Sequence, residues 1–199
     1  MVHPDSTLRY INDEIGFGVV ATKRIPRGSI TWVLDDLDQV FTPNEAARIC
    51  DFLKPSLEKY SFMDSKGQSI LCWDHARFIN HCCDPSCLST GFNFEIAARD
   101  INPGEELTDD YGALNLAESF KCHCRSPRCR RMVHSDDFLK FVPAWDEQVA
   151  QVFPLIKSVA QPLWPLVREK EQVEAVLAGR MNIPSCLAHY RPIPDMARK

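Results

Sequence analysis

Long apolar runs and an excess of positive charge are both missing from this sequence. No stretch of the 199 residues approaches the ~18 unbroken apolar residues that a membrane-spanning helix requires. The opening segment, MVHPDSTLRY, has no apolar run behind a basic start, so no secretory signal peptide is expected. The formal net charge is −4, which argues against a surface built to bind nucleic acid or an anionic membrane.

Cysteine, by contrast, is abundant, with nine residues, which is an odd number. Without a secretory signal, an intracellular, reducing compartment is expected, and clustered cysteines there indicate metal binding more than disulfides. Four cysteines share no ligand-like spacing with another cluster, and they are expected to be small buried hydrophobes: Cys50, Cys72, Cys82 and Cys186.

The first two thirds of the chain have the texture of short strands broken by turns. The segments FGVVAT and SITWVL are rich in β-branched and aromatic residues, and RIPRG between them predicts a turn. FNFEIAA alternates apolar and polar residues, as a half-buried strand does, and RDINPG then turns the chain into EELTDDY. An inserted helical segment is predicted at about 42–60, with Thr42 as N-cap, Pro43 at the first helical position and Glu45 at capping-box distance.

The last third, residues 134–199, has apolar residues at helical spacing interrupted by prolines. Asp146 is a candidate N-cap for the first helix, and Gly179 a candidate stop for the last. Short helices need a surface on which to bury their apolar stripe, so this extension is expected to pack on the preceding core.

A metal site is predicted from FKCHCRSPRC, where Cys122, Cys124 and Cys129 have the spacing C-x-C-x4-C. Structural zinc needs four thiolate or imidazole ligands, and His123 would have to turn back sharply to serve as the fourth. The residues that remain open for that position are Cys82, Cys83 and Cys87. The alternatives are three reduced cysteines on a basic loop, or a zinc knuckle whose basic residues bind RNA.

Four segments in order carry a resemblance to a known family: EIGFGVVATKRIPRGSI (14–30), RFINHCCDPSC (77–87), GEELTDDYG (104–112) and the cysteine triplet (122–129). Together they resemble the SET-domain protein lysine methyltransferases that have a post-SET zinc segment. The resemblance implies an α+β, β-rich SET-type fold of short strands at 5–115, a post-SET zinc-binding segment at 119–133, and a helical C-terminal extension at 134–199.

The resemblance also implies a role for particular residues. S-adenosylmethionine would be the cofactor, zinc would be structural, and Tyr111 would be the catalytic tyrosine. Asp109 stands where the family usually has Phe or Tyr, so its side chain either lines the substrate channel or turns to solvent. The implied zinc ligands are Cys83, Cys122, Cys124 and Cys129. The implied cofactor-binding residues are Gly16, Phe17, Gly18, Tyr60, Arg77, Phe78, Asn80, His81 and Met132.

The function that the resemblance implies is methyl transfer to the side-chain amine of a protein lysine, in a histone tail or another protein. The alternative is a weak or inactive SET scaffold that acts as a zinc-stabilised binding module. No membrane partner and no sequence-specific nucleic-acid binding are expected, because the chain is acidic and lacks a spanning segment.

Overall fold

The computed structural model describes residues 1–192, and the end of the predicted extension, 193–199, lies outside that range. The strands are short, from two to seven residues long. In chain order they are β1 (Ser6–Asn12), β2 (Gly16–Ala21), β3 (Ile30–Val33), β4 (Gln39–Phe41), β5 (Ser61–Met63), β6 (Ser69–Leu71), β7 (Asn80–His81), β8 (Cys87–Ser89), β9 (Phe94–Ala97), β10 (Glu106–Asp109), β11 (Phe120–Lys121) and β12 (Met132–Val133).

These strands form four small sheets within the described residues. The orders are β1-β2-β10-β7, β3-β9-β8, β4-β6-β5 and β11-β12. In the first sheet β10 pairs antiparallel with β2 and parallel with β7. The strand that leads to Tyr111 therefore lies between the glycine loop and the Asn80-His81 pair.

The two Pro-Gly turns predicted from the sequence lie side by side. Gly28 and Gly104 have φ of 88° and 86°, the left-handed region that glycine enters without a Cβ penalty. Next to these turns, Ile25 and Ile101 form an isolated β-bridge and are fully buried. The two turns therefore bring the ends of the first and second sheets together at the buried bridge between Ile25 and Ile101.

The predicted insertion is helical, but it consists of two short helices, α1 (Pro43–Arg48) and α2 (Lys54–Tyr60). Thr42 is the N-cap of α1, and Thr42 and Glu45 form the expected capping box, with Pro43 in the first turn. The β4-β6-β5 sheet flanks the insertion, because β4 ends just before it and β5 begins directly after Tyr60.

The C-terminal part is led by α3 (Asp137–Val152), and α4 (Lys170–Leu177) follows after short 3-10 turns. The residues of α3 that are buried recur at helical spacing, and they pack against the β3-β9-β8 sheet in one apolar cluster. Gly179 follows α4 at φ 71°, as predicted for a helix stop. The prediction for Asp146 is wrong, because α3 starts at Asp137 and Asp146 lies inside it, where it accepts hydrogen bonds from Ser185 Oγ and Cys186 N.

These elements confirm the predicted α+β class of short strands, inserted helical segment and C-terminal helices. Within residues 1–192 no helix combines the length and the apolar character needed to cross a bilayer. The cysteine prediction is correct for Cys72 and Cys186, which are buried, and wrong for Cys50, which is exposed in the loop between α1 and α2. Cys82 is half-buried.

Candidate active site and metal centre

The glycine loop at the start of β2 is held by Asn80 of β7. The Asn80 amide nitrogen Nδ2 donates to the Phe17 carbonyl at 3.1 Å and to Glu106 Oε1 at 2.8 Å. Gly18 is required by this contact, since a Cβ there would lie 2.4 Å from Glu106 Oε1 and 2.7 Å from Asn80 Nδ2. Gly16 is different, with φ 81° and no atom within 4 Å of a built Cβ. The loop therefore presents an open face at Gly16 and a tightly packed face at Gly18.

A row of aromatic rings continues from this loop into the insertion. Phe17 is 49% exposed and packs edge-on against Phe78 at 6.3 Å between ring centroids, and Phe78 contacts Tyr60 at 5.1 Å. Tyr10, which the sequence did not indicate, extends the row at 5.8 Å from Phe17. The structure thus brings together three residues that were predicted from separate motifs.

Arg77 lies beside this row of rings, and its side-chain hydrogen bonds go to nearby main-chain carbonyls. Its guanidinium donates to the main-chain carbonyls of Trp73 and Asp74, at 2.6 and 3.0 Å. The Arg77 guanidinium carbon lies 6.0 Å from the Phe78 ring centroid. Arg77 therefore fixes the 3-10 turn that carries Phe78.

His81 links the site to the cysteine cluster. Its Nδ1 accepts from the Tyr111 main-chain N–H at 3.1 Å, so the ring proton is on Nε2, which lies 3.2 Å from Cys83 Sγ and can donate to it. Burial lowers the pKa of His81 to about 4, so the ring is neutral at physiological pH. His81 thus orients the Tyr111 backbone on one side and a sulfur atom on the other.

Tyr111 directs its hydroxyl inward. The hydroxyl donates to the Ile79 carbonyl at 2.6 Å. Burial, reinforced by the neighbouring Asp109 carboxyl, raises the pKa of Tyr111, so the phenol stays protonated. With its proton committed to Ile79, the Tyr111 oxygen is left as an acceptor.

Asp110 joins three parts of the chain. Its carboxylate accepts from Gly112 N at 3.0 Å, from the Arg130 guanidinium, and from Trp145 Nε1 at 3.2 Å. Arg130 belongs to the cysteine segment and Trp145 to α3. Neither the Asp110–Arg130 ion pair nor the Asp110–Trp145 bond was predicted, because their partners lie 20 and 35 residues away in the sequence.

The structure brings Cys83 to the cysteine triplet, while Cys82 and Cys87 lie outside the cluster. The four sulfurs of the cluster all lie within 4.8 Å of one another: Cys83, Cys122, Cys124 and Cys129. Zinc at ~2.3 Å from four tetrahedral sulfurs places them ~3.8 Å apart, and the Cys83–Cys122 sulfur distance is 3.7 Å.

Main-chain N–H groups support these sulfurs. Cys124 N donates to Cys122 Sγ, Arg130 N to Cys83 Sγ and Arg131 N to Cys129 Sγ, each at 3.4 Å. Donors aimed at sulfur stabilise thiolate, which is the form that binds metal. Both the spacing and the donors therefore fit a closed four-sulfur zinc site.

The cysteine segment also contacts the centre of the site. Phe120 of β11 packs on the His81 ring at 5.4 Å and on the Tyr111 ring at 6.1 Å. Met132 of β12 pairs with Lys121 and is 38% exposed. Phe120 was missed because no local pattern distinguishes it from a core residue.

The Asp109 side chain is buried and lies beside another acidic residue. It is 5% exposed and lies next to Glu95 of β9, which is 8% exposed and was not predicted as a site residue. Burial and the adjacent Glu95 charge raise the pKa of Asp109. The possibility that Asp109 turns to solvent is thereby excluded.

Comparison with known proteins gives an independent family assignment for this region. The SET domain family model matches residues 16–112. The histone-lysine N-methyltransferase set1 of Dictyostelium discoideum is 47% identical over 66 residues, which are 30% of this chain and 4% of that protein. The histone-lysine N-methyltransferase ash1 of Drosophila melanogaster is 28% identical over 138 residues, 63% of this chain and 6% of that protein.

Among solved structures, the methyltransferase domain of human histone-lysine N-methyltransferase SETMAR superposes with a TM-score of 0.47 at 19% identity, covering 67% of this chain and 58% of that one. The chain spans only 4% and 6% of the lengths of the two relatives named above. The family match and the glycine loop, Asn-His pair and tyrosine arranged within it lead to one conclusion: residues 16–112 are a SET domain.

Proposed function

We propose that this chain transfers methyl groups from S-adenosylmethionine to the side-chain amine of a protein lysine. The observation that carries the proposal is the Tyr111 hydroxyl fixed on the Ile79 carbonyl, inside a SET domain and next to the Asn80-held glycine loop. The hydroxyl oxygen and the Ile79 carbonyl form a fixed set of acceptors there. Such a set orients an amine without any movement at the moment of reaction.

The residues around the glycine loop fit the cofactor. Gly16 leaves its backbone open to close approach, as a zwitterionic methionine group requires, and Asn80 lies beside the loop. The exposed ring of Phe17 and the half-buried rings of Phe78 and Tyr60 offer apolar contact for the remainder of the molecule. Bound S-adenosylmethionine supplies a methyl carbon on a cationic sulfur.

Zinc, in this proposal, is held by the four-cysteine cluster and is structural. Four sulfur ligands leave no open position for catalysis. The ion would fasten the cysteine segment beneath His81, which keeps Phe120 against the rings of His81 and Tyr111. Met132 on β12 would then be the part of this segment nearest the cofactor.

The substrate proposed is a lysine in another protein, and histones are one class to test because the relatives are named for them. The amine must be neutral to accept a methyl group, whereas its free pKa is ~10.4. A buried site disfavours the ammonium and lowers that pKa. A reducing compartment fits four thiolates kept available for zinc.

The test is transfer of a labelled methyl group by the 199-residue chain, loaded with zinc, to histones and to lysine-containing peptides. Tyr111→Phe should lower kcat about 10²-fold while cofactor affinity stays the same, because the hydroxyl acts mainly in the transition state. Tyr190→Phe is the matched control, since Tyr190 packs on Phe138 in the C-terminal core. A wild-type chain that binds cofactor and zinc but methylates nothing would identify the inactive scaffold instead.

A further inference from the structure

The cysteine segment, residues 119–133, differs in charge from the rest of the molecule. It contains five lysine and arginine residues and no aspartate or glutamate. Because the whole chain has a formal net charge of −4 and this segment +5, the remainder carries −9. The net charge therefore conceals a basic segment on an acidic molecule, and the argument from net charge against nucleic acid does not apply to this face.

Most of these cations lie on the surface. Arg130 is the exception, since it is paired inside the fold with Asp110 and Asp137. Arg128 is exposed, and its partner Asp84 at 3.3 Å is exposed as well, so that ion pair contributes little. Three more exposed cations form no ion pair within residues 1–192, and they remain available to a partner: Lys121, Arg125 and Arg131.

Two of the unpaired arginines line a common cavity. Arg125 and Arg131 share a cavity of about 350 Å³ with His123 and Ser126. A water molecule occupies ~30 Å³ in the liquid, so a hydrated phosphate group fits in this space. The opposing acid is Glu14, which lines the same cavity but lies beyond ion-pair distance of both arginines. The cavity therefore offers mainly cationic and hydroxyl donors, which suit an anion.

The sulfur cluster does not cancel the charge of this face. Cys122 and Cys129 also line the cavity. Four thiolates exceed the charge of one zinc ion by two negative charges, whereas the segment has four exposed cations. The outer face of the segment therefore stays positive when zinc is bound.

The backbone at the two arginines is strained. Arg125 and Arg131 have φ of 59° and 65°, the left-handed region that residues with a Cβ seldom enter. Glycine would adopt the same conformation without a Cβ penalty. Such strain at a residue other than glycine points to a role for its side chain. Since both side chains are exposed and make no ion pair in the described chain, that role involves a group outside it.

The arrangement of the cations suits a row of phosphates. A single phosphorylated side chain is held by arginines that converge on one point, whereas the exposed cations here recur at positions 121, 125, 128 and 131. Single-stranded nucleic acid needs exposed aromatic rings on which bases stack. Phe120, the aromatic residue of the segment, packs instead on His81 and Tyr111. A duplex, which presents phosphates and keeps its bases stacked inside, therefore fits best.

From this arrangement we infer that the cysteine segment is a contact surface for duplex DNA, bound through its phosphate backbone and without readout of the base sequence. Arg125 and Arg131 hold one phosphate at the cavity, and Lys121 and Arg128 contact its neighbours. The choice of DNA over duplex RNA rests on the proposed function, because histones are wrapped by DNA. The acidic remainder of the chain is repelled by the duplex, which turns the cysteine segment towards it.

Paired variants separate charge from fold. Arg125→Gly combined with Arg131→Gly removes two charges and suits the left-handed backbone, so Tm should not fall. Arg125→Lys combined with Arg131→Lys keeps both charges. Glu14→Gln removes the opposing acid of the cavity. The control is Lys23→Gln, because Lys23 is an exposed cation outside the segment that pairs with Asp5.

The measurement is fluorescence anisotropy of a short labelled DNA duplex with the zinc-loaded 199-residue chain, at several salt concentrations. The wild type should bind two duplexes of unrelated sequence equally, and the logarithm of its binding constant should fall linearly with the logarithm of salt concentration. The double glycine variant should bind more weakly, with a slope smaller by about 1.8, because each lost phosphate contact removes ~0.9. The double lysine variant and Lys23→Gln should resemble the wild type, and Glu14→Gln should bind more tightly.

Several results would overturn the inference. One is a wild type that binds no duplex even at low salt, and another is a double glycine variant with the affinity and slope of the wild type. Tighter binding of single-stranded RNA, duplex RNA, a phosphoserine peptide or phosphatidylserine vesicles, at equal phosphate concentration, would assign the surface to that partner instead. Duplex DNA binding without methylation of any lysine would reject the proposed function and leave the surface standing. Methylation of histones without DNA binding would do the reverse.

Discussion

Gly18→Ala is the substitution whose effect can be predicted most directly from the contacts in the structure. Gly18 does not need a special backbone conformation, since it is not among the glycines with positive φ. What it lacks is space: the new methyl carbon would lie 2.4 Å from Glu106 Oε1, 2.7 Å from Asn80 Nδ2 and 2.9 Å from Ile11 Cγ1. The two polar atoms are themselves hydrogen-bonded at 2.8 Å, so relief of the clash breaks that bond.

The cost can be estimated from these contacts. Loss of the Asn80–Glu106 hydrogen bond costs ~1 kcal/mol, and overpacking costs a further 1–3 kcal/mol, so about 3 kcal/mol in the free energy of unfolding is expected. For a chain of this size that corresponds to a fall in Tm of roughly 6–12 °C. Because Asn80 is displaced from the glycine loop, affinity for S-adenosylmethionine should fall as well.

Thermal unfolding and calorimetric titration of the cofactor test both parts. The matched control is Gly104→Ala, at φ 86° with only Arg9 Nη1 at 3.8 Å, where the penalty of ~1–2 kcal/mol is backbone strain. That control should lower Tm and leave cofactor affinity unchanged. A Gly18→Ala chain with the Tm and cofactor affinity of the wild type would refute the reasoning.

Three further outcomes are expected. Cys83→Ser should lose zinc by elemental analysis and weaken cofactor binding, whereas Cys82→Ser should retain about one zinc per chain; the reverse would reassign the fourth ligand. The raised pKa of Asp109 should make wild-type stability, measured by denaturant unfolding, decline as pH rises from ~4 through the folded pKa, because native Asp109 holds a proton that an unfolded carboxyl has released. Asp109→Asn should remove most of that decline, and an unchanged slope would contradict a raised pKa of Asp109. Truncation after Val133 should give an insoluble or unfolded chain, because it uncovers the apolar face of the β3-β9-β8 sheet; a soluble, equally active product would show that α3 is dispensable.

Local signals in the sequence were sufficient for several elements. The capping box at Thr42 and the turn glycines Gly28 and Gly104 depend on neighbours within a few residues, and all are found where predicted. Asp146 shows the limit of such signals. An aspartate near an apolar stripe is typical of an N-cap, but here its partners are Ser185 and Cys186, which only the folded chain brings near.

The burial of Glu95 beside Asp109 was not predicted, for a related reason. The alternation in FNFEIAA predicts a half-buried strand with Glu95 towards water, yet all four residues of β9 are buried. One face of this strand is covered by the C-terminal helices, and the other faces the buried layer next to β10. Periodicity reports which side chains share a face, but it does not report whether both faces are covered. The family motifs placed Asp109, and only tertiary packing reveals its partner.

The Asp110 carboxylate affects which parts of the molecule unfold locally together. It is bonded at once to the turn that carries Tyr111, to the cysteine segment through Arg130 and to α3 through Trp145. If the cysteine segment moved away, the buried Asp110 carboxylate would lose its cation, Arg130, at a cost of several kcal/mol; if α3 moved away, the carboxylate would lose the Trp145 donor. Amide hydrogens in the three parts should therefore exchange with solvent together, as one cooperative unit. On the proposed zinc site, a chelator should also speed exchange in α3, which contributes no cysteine to the four-sulfur cluster.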